Sequence, residues 1–253
     1  MTLSRRTLLG FGFASLAHLM LKAPVRSLAQ NSYFTWAQLR YDGFWNPNPR
    51  AVSRFLSVLF RRTSVEVQPQ PRPVELTHPE IFDLPFLYVS GRSALPEFSA
   101  KGRDNLRRYI EHGGFILFDD AAGVEDSAFF VSAVDLVSAI LPGRRVAPLA
   151  SDHTLFQSFY LLQHVAGRKI VKPFLYGIDL EDLTPVVFSQ NDLCGAWDGD
   201  ASGYTYACTP GGETQREMTF RLGINLVMYA LTGNYKKDQV HIPFILKRRQ
   251  LIR

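Results

Sequence analysis

Two stretches decide how this chain folds: "PFLYVSG", Pro85 to Gly91, and "GFILFDD", Gly114 to Asp120. Each is an apolar run without the in–out alternation of a half-exposed strand. Runs of this kind mark strands covered on both faces, as in parallel sheets. Between them, Ser99 to His112 has helical spacing, with Leu106, Tyr109 and Ile110 inward and Gly113-Gly114 as the stop. Strand, helix, strand is the unit from which a parallel sheet with crossover helices is built.

The alternation continues on both sides of this unit. "YFTWAQLRY" (33–41) reads as a strand and "DGFWNPNP" (42–49) as a turn, where Asn48-Pro49 predicts an N-cap followed by proline in the first turn. The next helix places Val52, Phe55, Leu56 and Leu59 on one face. "SVEV" (64–67) predicts a short strand, and Pro69, Pro71 and Pro73 a stiff extended connection. Thr77 and Glu80 have the spacing of a capping box. A further helix from about Asp126 to Leu141 closes at Pro142-Gly143, whereas residues 145–183 show no clear period. "TPVVFSQ" (184–190) is another buried strand. Thr214 to Gly233 is the strongest helix, with Phe220, Ile224, Val227, Met228 and Leu231 on a common face. The expected fold is an α/β three-layer, flavodoxin-like sandwich with a mostly parallel central sheet, formed as one domain over residues 30–246.

The chain carries 28 Lys+Arg against 23 Asp+Glu, and the excess sits at its ends. Residues 1–29 contribute four basic side chains and no acidic ones, and the tail "KRRQLIR" (247–253) four more. That leaves 20 basic against 23 acidic over residues 30–246, so the body has no basic stripe and nucleic acid is excluded as a partner. Arg5 and Arg6 precede Leu8 to Leu21, a mostly apolar stretch of 14 residues, shorter than the ~20 of a bilayer-spanning helix. Ser27-Leu28-Ala29 puts small residues where signal peptidase needs them. The paired arginines in "SRRTLL" (4–9) resemble the twin-arginine export signal, with Leu8 and Gly10 departing from its commonest form. A periplasmic protein, exported already folded and with no membrane span in the mature chain, is the expectation.

In open α/β sheets, ligands bind beyond the carboxyl ends of the strands. The strand ends here are polar: Arg40 and Asp42, Arg92, Asp119 and Asp120, Asn191 and Asp192, with Trp45 or Trp197 available as an apolar wall. These residues can form a site for a small polar ligand or a hard cation. Alternatively, Asp119 and Asp120 cap the following turn and Arg92 neutralises them. The histidines show neither H-x-H nor H-x-x-x-H spacing, so no metal site is expected. "GYTYACTPGGE" (203–213) lacks a Walker lysine, and its Glu213 repels phosphate, so no cofactor is expected either.

Cys194 and Cys208 are the only cysteines, with 13 residues between them in loop-like sequence. An oxidising compartment favours a disulfide between them, which in the chain-entropy account stabilises by about 3 kcal/mol. Structural thiols and a catalytic thiol are the alternatives, the last weakened because no histidine lies near either cysteine in sequence.

Five blocks in order, "YFTWAQLRYDGFWNPNP", "FDLPFLYVSGRSALPEFS", "LRRYIEHGGFILFDDAAG", "SQNDLCGAW" and "FRLGINLVMYALTGNYK", resemble the domain of unknown function 4159 family. The resemblance implies a flavodoxin-like domain related to class I glutamine amidotransferases, found in exported or membrane-tethered bacterial proteins. It carries no established catalytic residue. Many relatives have Gly-His-Gly where this chain has Gly91-Arg92-Ser93, and the amidotransferase nucleophile position after "GFILF" is held by Asp119-Asp120. Two functions follow as expectations. One is a non-catalytic domain binding a small polar ligand or an envelope protein partner. The other is a hydrolase acting on a carbohydrate or amide, with Asp119, Asp120 and Asp192 as its carboxylates.

Overall fold

The computed structural model describes the backbone of residues 33–250 and the side chains of residues 33–233. The expected export signal (1–29) and the end of the basic tail (251–253) lie outside the described residues. Strand β1 (Ala37–Leu39) leads through a loop to helix α1 (Ala51–Arg62) and then to β2 (Arg72–Val74). Strand β3 (Phe86–Gly91), helix α2 (Ala100–Glu111), strand β4 (Phe115–Asp120) and helix α3 (Ala128–Ile140) follow. The irregular middle holds β5 (Ala147–Pro148) and β6 (Tyr176–Leu180), before β7 (Leu183–Ser189) and the one-turn helix α4 (Leu193–Trp197). A small hairpin, β8 (Gly199–Asp200) with β9 (Gly203–Tyr204), precedes the long helix α5 (Gly212–Gln250).

Seven strands form one sheet in the order β2-β1-β3-β4-β7-β6-β5. The first five are parallel, and the β7–β6 and β6–β5 pairs are antiparallel. The apolar runs are continuous because alternate residues serve different faces. Tyr88, Leu117 and Val187 join Trp36, Phe55, Trp197 and Phe220 in the core beneath α1, α4 and α5. Leu87, Val89, Ile116, Phe118, Val186 and Phe188 meet Leu106, Ile110, Phe129 and Val137 of α2 and α3 on the other face. Each such side chain contributes about 1.5–3 kcal/mol by leaving water, so both faces resist polar substitution. The result is a three-layer sandwich. Successive crossovers reverse direction between β1 and β3, which is where a doubly wound sheet opens its crevice.

Several local expectations are corrected. Asn48 does not cap α1 with its side chain; Arg50 occupies the cap position, and Asn48 lends only its carbonyl, to Ala51 N–H. The strand pairing with β1 is Arg72–Val74, inside the proline-rich connection, and "SVEV" supplies only a single bridge from Val67 to Phe34. Pro73 is tolerated because β2 is an edge strand with one side free of ladder bonds. Thr77 and Glu80 form no capping box; a 3-10 turn, Pro79–Asp83, starts after His78 without a side-chain cap. By contrast, Ser99 and Ser127 do cap, accepting Gly102 and Phe130 N–H at the starts of α2 and α3. Helix α5 runs through Gly233 to Gln250, since one glycine costs a helix only about 1 kcal/mol.

Candidate functional site at the carboxyl edge of the sheet

Helix α4 begins just past the end of β7, so its first free amides face the ends of β3 and β4. Asp119 accepts Leu193 N–H on Oδ1 (2.8 Å) and Cys194 N–H on Oδ2 (2.8 Å). The second oxygen also takes the Tyr88 hydroxyl at 2.6 Å. Asp192 folds back on the next amide, Gly195 N–H (2.8 Å), while its other oxygen pairs with Arg168 Nε. To do so Asp192 adopts a left-handed backbone, φ +55°, tolerable in aspartate because the short side chain bonds locally. Gly195 is required beside it, since a Cβ there would lie 2.3 Å from Asp192 Oδ2. A helix N-terminus attracts anions through its unpaired N–H groups, and here two internal carboxylates use three consecutive ones.

The other strand-end residues are also spent internally. Asp120 accepts Ala122 N–H (2.9 Å) and the Ser127 hydroxyl (2.6 Å), capping the turn after β4. Asn191 clasps a strap over the end of β7: its Oδ1 accepts Val171 and Lys172 N–H and its Nδ2 donates to Lys172 O. Backbone bonds from Arg168 N–H to Asp192 O and from Lys169 N–H to Asn191 O extend the clasp. Gly167 allows the approach, because a Cβ there would fall 2.1 Å from Asn191 O. Asp119, Asn191 and Asp192 are all 0% exposed and Asp120 is 1% exposed.

Burial sets the proton affinities. Loss of water, with the neighbouring Asp192 carboxylate, pushes Asp119 up to about 7 against the pull of its three donors. Asp120 is pushed up to about 6, chiefly by burial. Burial raises Asp192 too, opposed mainly by Arg168. Values near neutrality suit acid–base catalysis, but these carboxyl groups are closed to solvent and already bonded.

The expected disulfide is not formed: Cys194 and Cys208 are free, buried thiols. Cys194 Sγ is committed elsewhere, accepting from Asn48 Nδ2 at 3.0 Å and lying 3.6 Å from Ser90 Oγ. Burial first, then Asp119 and Asp192, hold this thiol well above its ordinary pKa. It is therefore a protonated structural thiol, the opposite of an activated nucleophile.

Arg92 is exposed at the end of β3 and does not neutralise Asp119 or Asp120. Its Nη2 reaches Asn48 Oδ1 (3.1 Å) and the Tyr206 hydroxyl (3.4 Å). Arg40 turns away to Glu75 at 2.5 Å, and Asp42 is exposed on the loop after β1 without an ion pair among the described residues. Trp197 is no site wall: it is wholly buried against Phe55, ring centroids 4.5 Å apart. The structure thus gathers Arg92, Asp119, Asn191 and Asp192 at one edge, with Asp120 on the turn beside them, and leaves Arg40 and Trp197 out. Three participants had no sequence signal: Arg168 and its strap in the stretch without a period, Asn48 read as a helix cap, and Tyr206 in the loop before α5. Among the described residues, no three His, Cys, Asp or Glu side chains are arranged to hold a metal ion. No helix among them is long and apolar enough to cross a membrane.

The fold and this edge define an α/β sandwich whose strand-end acids cap its own backbone. The family described as Domain of unknown function (DUF4159) matches residues 35–231, most of the chain, and the protein belongs to it. No curated protein matches the sequence.

Proposed function

We propose that the protein is an exported, non-catalytic domain of the bacterial envelope that binds a small polar ligand or a protein partner at the carboxyl edge of its sheet. One observation carries the reading: each aspartate that a hydrolase would need is closed to solvent and engaged by the chain's own N–H, hydroxyl or guanidinium groups, while Arg92 beside them faces outward. The parallel strand order β2-β1-β3-β4-β7 supports a flavodoxin-like assignment, with the crevice between β1 and β3 as the binding region. The amidotransferase relationship is one of scaffold in this reading, since Asp119 stands at the nucleophile position.

The test is to purify the full chain from its native envelope and identify by mass spectrometry what remains bound, alongside assays with chromogenic glycosides, esters and amides. A stoichiometric bound species without turnover is the expected result. Turnover abolished by Asp192→Asn would replace this reading with the hydrolase. For export, replacing Arg5 and Arg6 by lysine should leave the protein in the cytoplasmic fraction; unchanged periplasmic recovery would refute the twin-arginine route.

A further inference from the structure

We infer that the exposed side of this edge takes a small solute bearing an oxyanion, a carboxylate or a phosphate, held by Arg92 at the Tyr206 hydroxyl and Arg168 over the Tyr206 ring. The inference rests on the binding reading above and narrows its ligand class. Arg92 is the first residue beyond β3, beside the β1–β3 switch point. Its guanidinium uses Nη2 alone for Asn48 and Tyr206, and its Nε and Nη1 make no hydrogen bond among the described residues. Arg168 approaches the same tyrosine from the strap, its guanidinium carbon 5.3 Å from the ring centroid. Only its Nε is taken, by Asp192, which leaves both Nη groups without a hydrogen-bond partner among the described residues.

The charges do not cancel. Arg168 answers Asp192, and Asp119 is sealed beneath α4. Arg92, and Lys169 next to Arg168 on the strap, form no ion pair with a carboxylate among the described residues. Lys169 and Arg168 both pack on Gly123, where a Cβ would lie 3.2 Å from Lys169 Cδ and 3.1 Å from Arg168 Nη2. The strap therefore presents Arg168 and Lys169 together over Gly123 of the loop after β4, whose own Glu125 is taken by Lys172.

These donors are also held in place. Asn48, 2% exposed, grips Arg92 with its oxygen and is itself anchored through Nδ2 on Cys194 Sγ. Tyr206 offers its hydroxyl to one guanidinium and its face to the other. Planar guanidinium groups with a free edge match carboxylate and phosphate oxygens in paired hydrogen bonds, and less ordering is lost when they are preset. A few cations on a body with no net basic excess fit a small solute rather than a nucleic acid.

Isothermal titration of the full-length protein at low salt should show saturable 1:1 binding of inorganic phosphate or citrate, and no heat with maltose as a neutral probe. Whichever of the two anions saturates identifies the headgroup. Arg92→Gln should weaken that binding roughly tenfold and added sodium chloride should weaken it further, whereas Arg61→Gln, in the last turn of α1 and so roughly 15 Å along that helix, should not. Lys169→Gln, expected to fold normally, should weaken it roughly threefold. Equal affinity in Arg92→Gln, or no saturation by either anion, overturns the inference. Saturable maltose binding that broadens the Tyr206 ring resonances would also overturn it, yet leave the edge a binding site. Turnover of a probe, lost in Asp192→Asn, would instead bring down the binding reading itself.

Discussion

Beneath α4 and around Tyr206 lie two polar clusters that share a border at Asp192–Arg168, one facing inward and the other facing water. The inner cluster pairs carboxylates with amides: Asp119 and Asp192 satisfy the N–H groups of Leu193, Cys194 and Gly195. The outer cluster pairs guanidinium groups with an aromatic ring and leaves N–H donors facing outward. Burial makes the difference. Where water is excluded, a polar atom left without a partner is costly, so the carboxylates of the inner cluster are spent on the fold. At the surface an unpaired cation costs little and remains available to a ligand.

The sharpest way to break this contrast is Asp119→Ala. It strands two amides and a tyrosine hydroxyl in the core, and at about 1–3 kcal/mol for each unsatisfied group should lower unfolding stability by about 3 kcal/mol or more, read from urea denaturation. A loss below about 1 kcal/mol would mean that the inner cluster is not structural. Next is Arg168→Met, which leaves Asp192 buried and unpaired. Because Arg168 keeps 19% of its side chain exposed, the cost should be about 2 kcal/mol, less than that of a fully buried pair.

The pH dependence sharpens the same contrast. Asp119 and Asp120 hold protons in the folded state up to about 7 and about 6, well above the ordinary 3.8. Between about pH 4 and 7 the folded chain therefore binds more protons than the unfolded chain, and stability from these groups, full below that window, is lost as pH rises through it. A decline on the order of 2 kcal/mol between pH 5 and 6 is expected, roughly halved in Asp119→Asn because Asp120 still titrates. A wild-type profile parallel to that of the variant would contradict the assignment. In the outer cluster, Arg92→Gln should change stability by less than about 0.5 kcal/mol. Smallest of all, dithiothreitol should leave the melting temperature unchanged, and the intact mass should be the same before and after reduction; a gain of two hydrogens on reduction would restore the Cys194–Cys208 bond.

The two continuous apolar runs were enough to read β3 and β4, since an absence of alternation has few other meanings, and Ser99 and Gly113 announced both ends of α2. β2 was missed because prolines mask an edge strand, and β6 because residues 145–183 carry no period until they pair with β7. The polar strand ends were legible as a cluster, yet their roles were not. Asp119 in sequence looks equally like a cap or a catalytic acid. The amides it caps lie 74 and 75 positions away, beyond any local pattern.

By itself the sequence determined the layering, the parallel strand segments and the family, because these follow from the spacing of apolar residues along the chain. Tertiary structure alone decided that Asp119, Asp120 and Asp192 turn inward, that Cys194 answers Asn48 rather than Cys208, and that Arg92, Arg168 and Tyr206 meet. Periodicity records which side of an element faces the core. It carries no record of which distant amide or guanidinium waits there, and in a water-excluding edge that partner decides whether a carboxylate is a cap or a reagent.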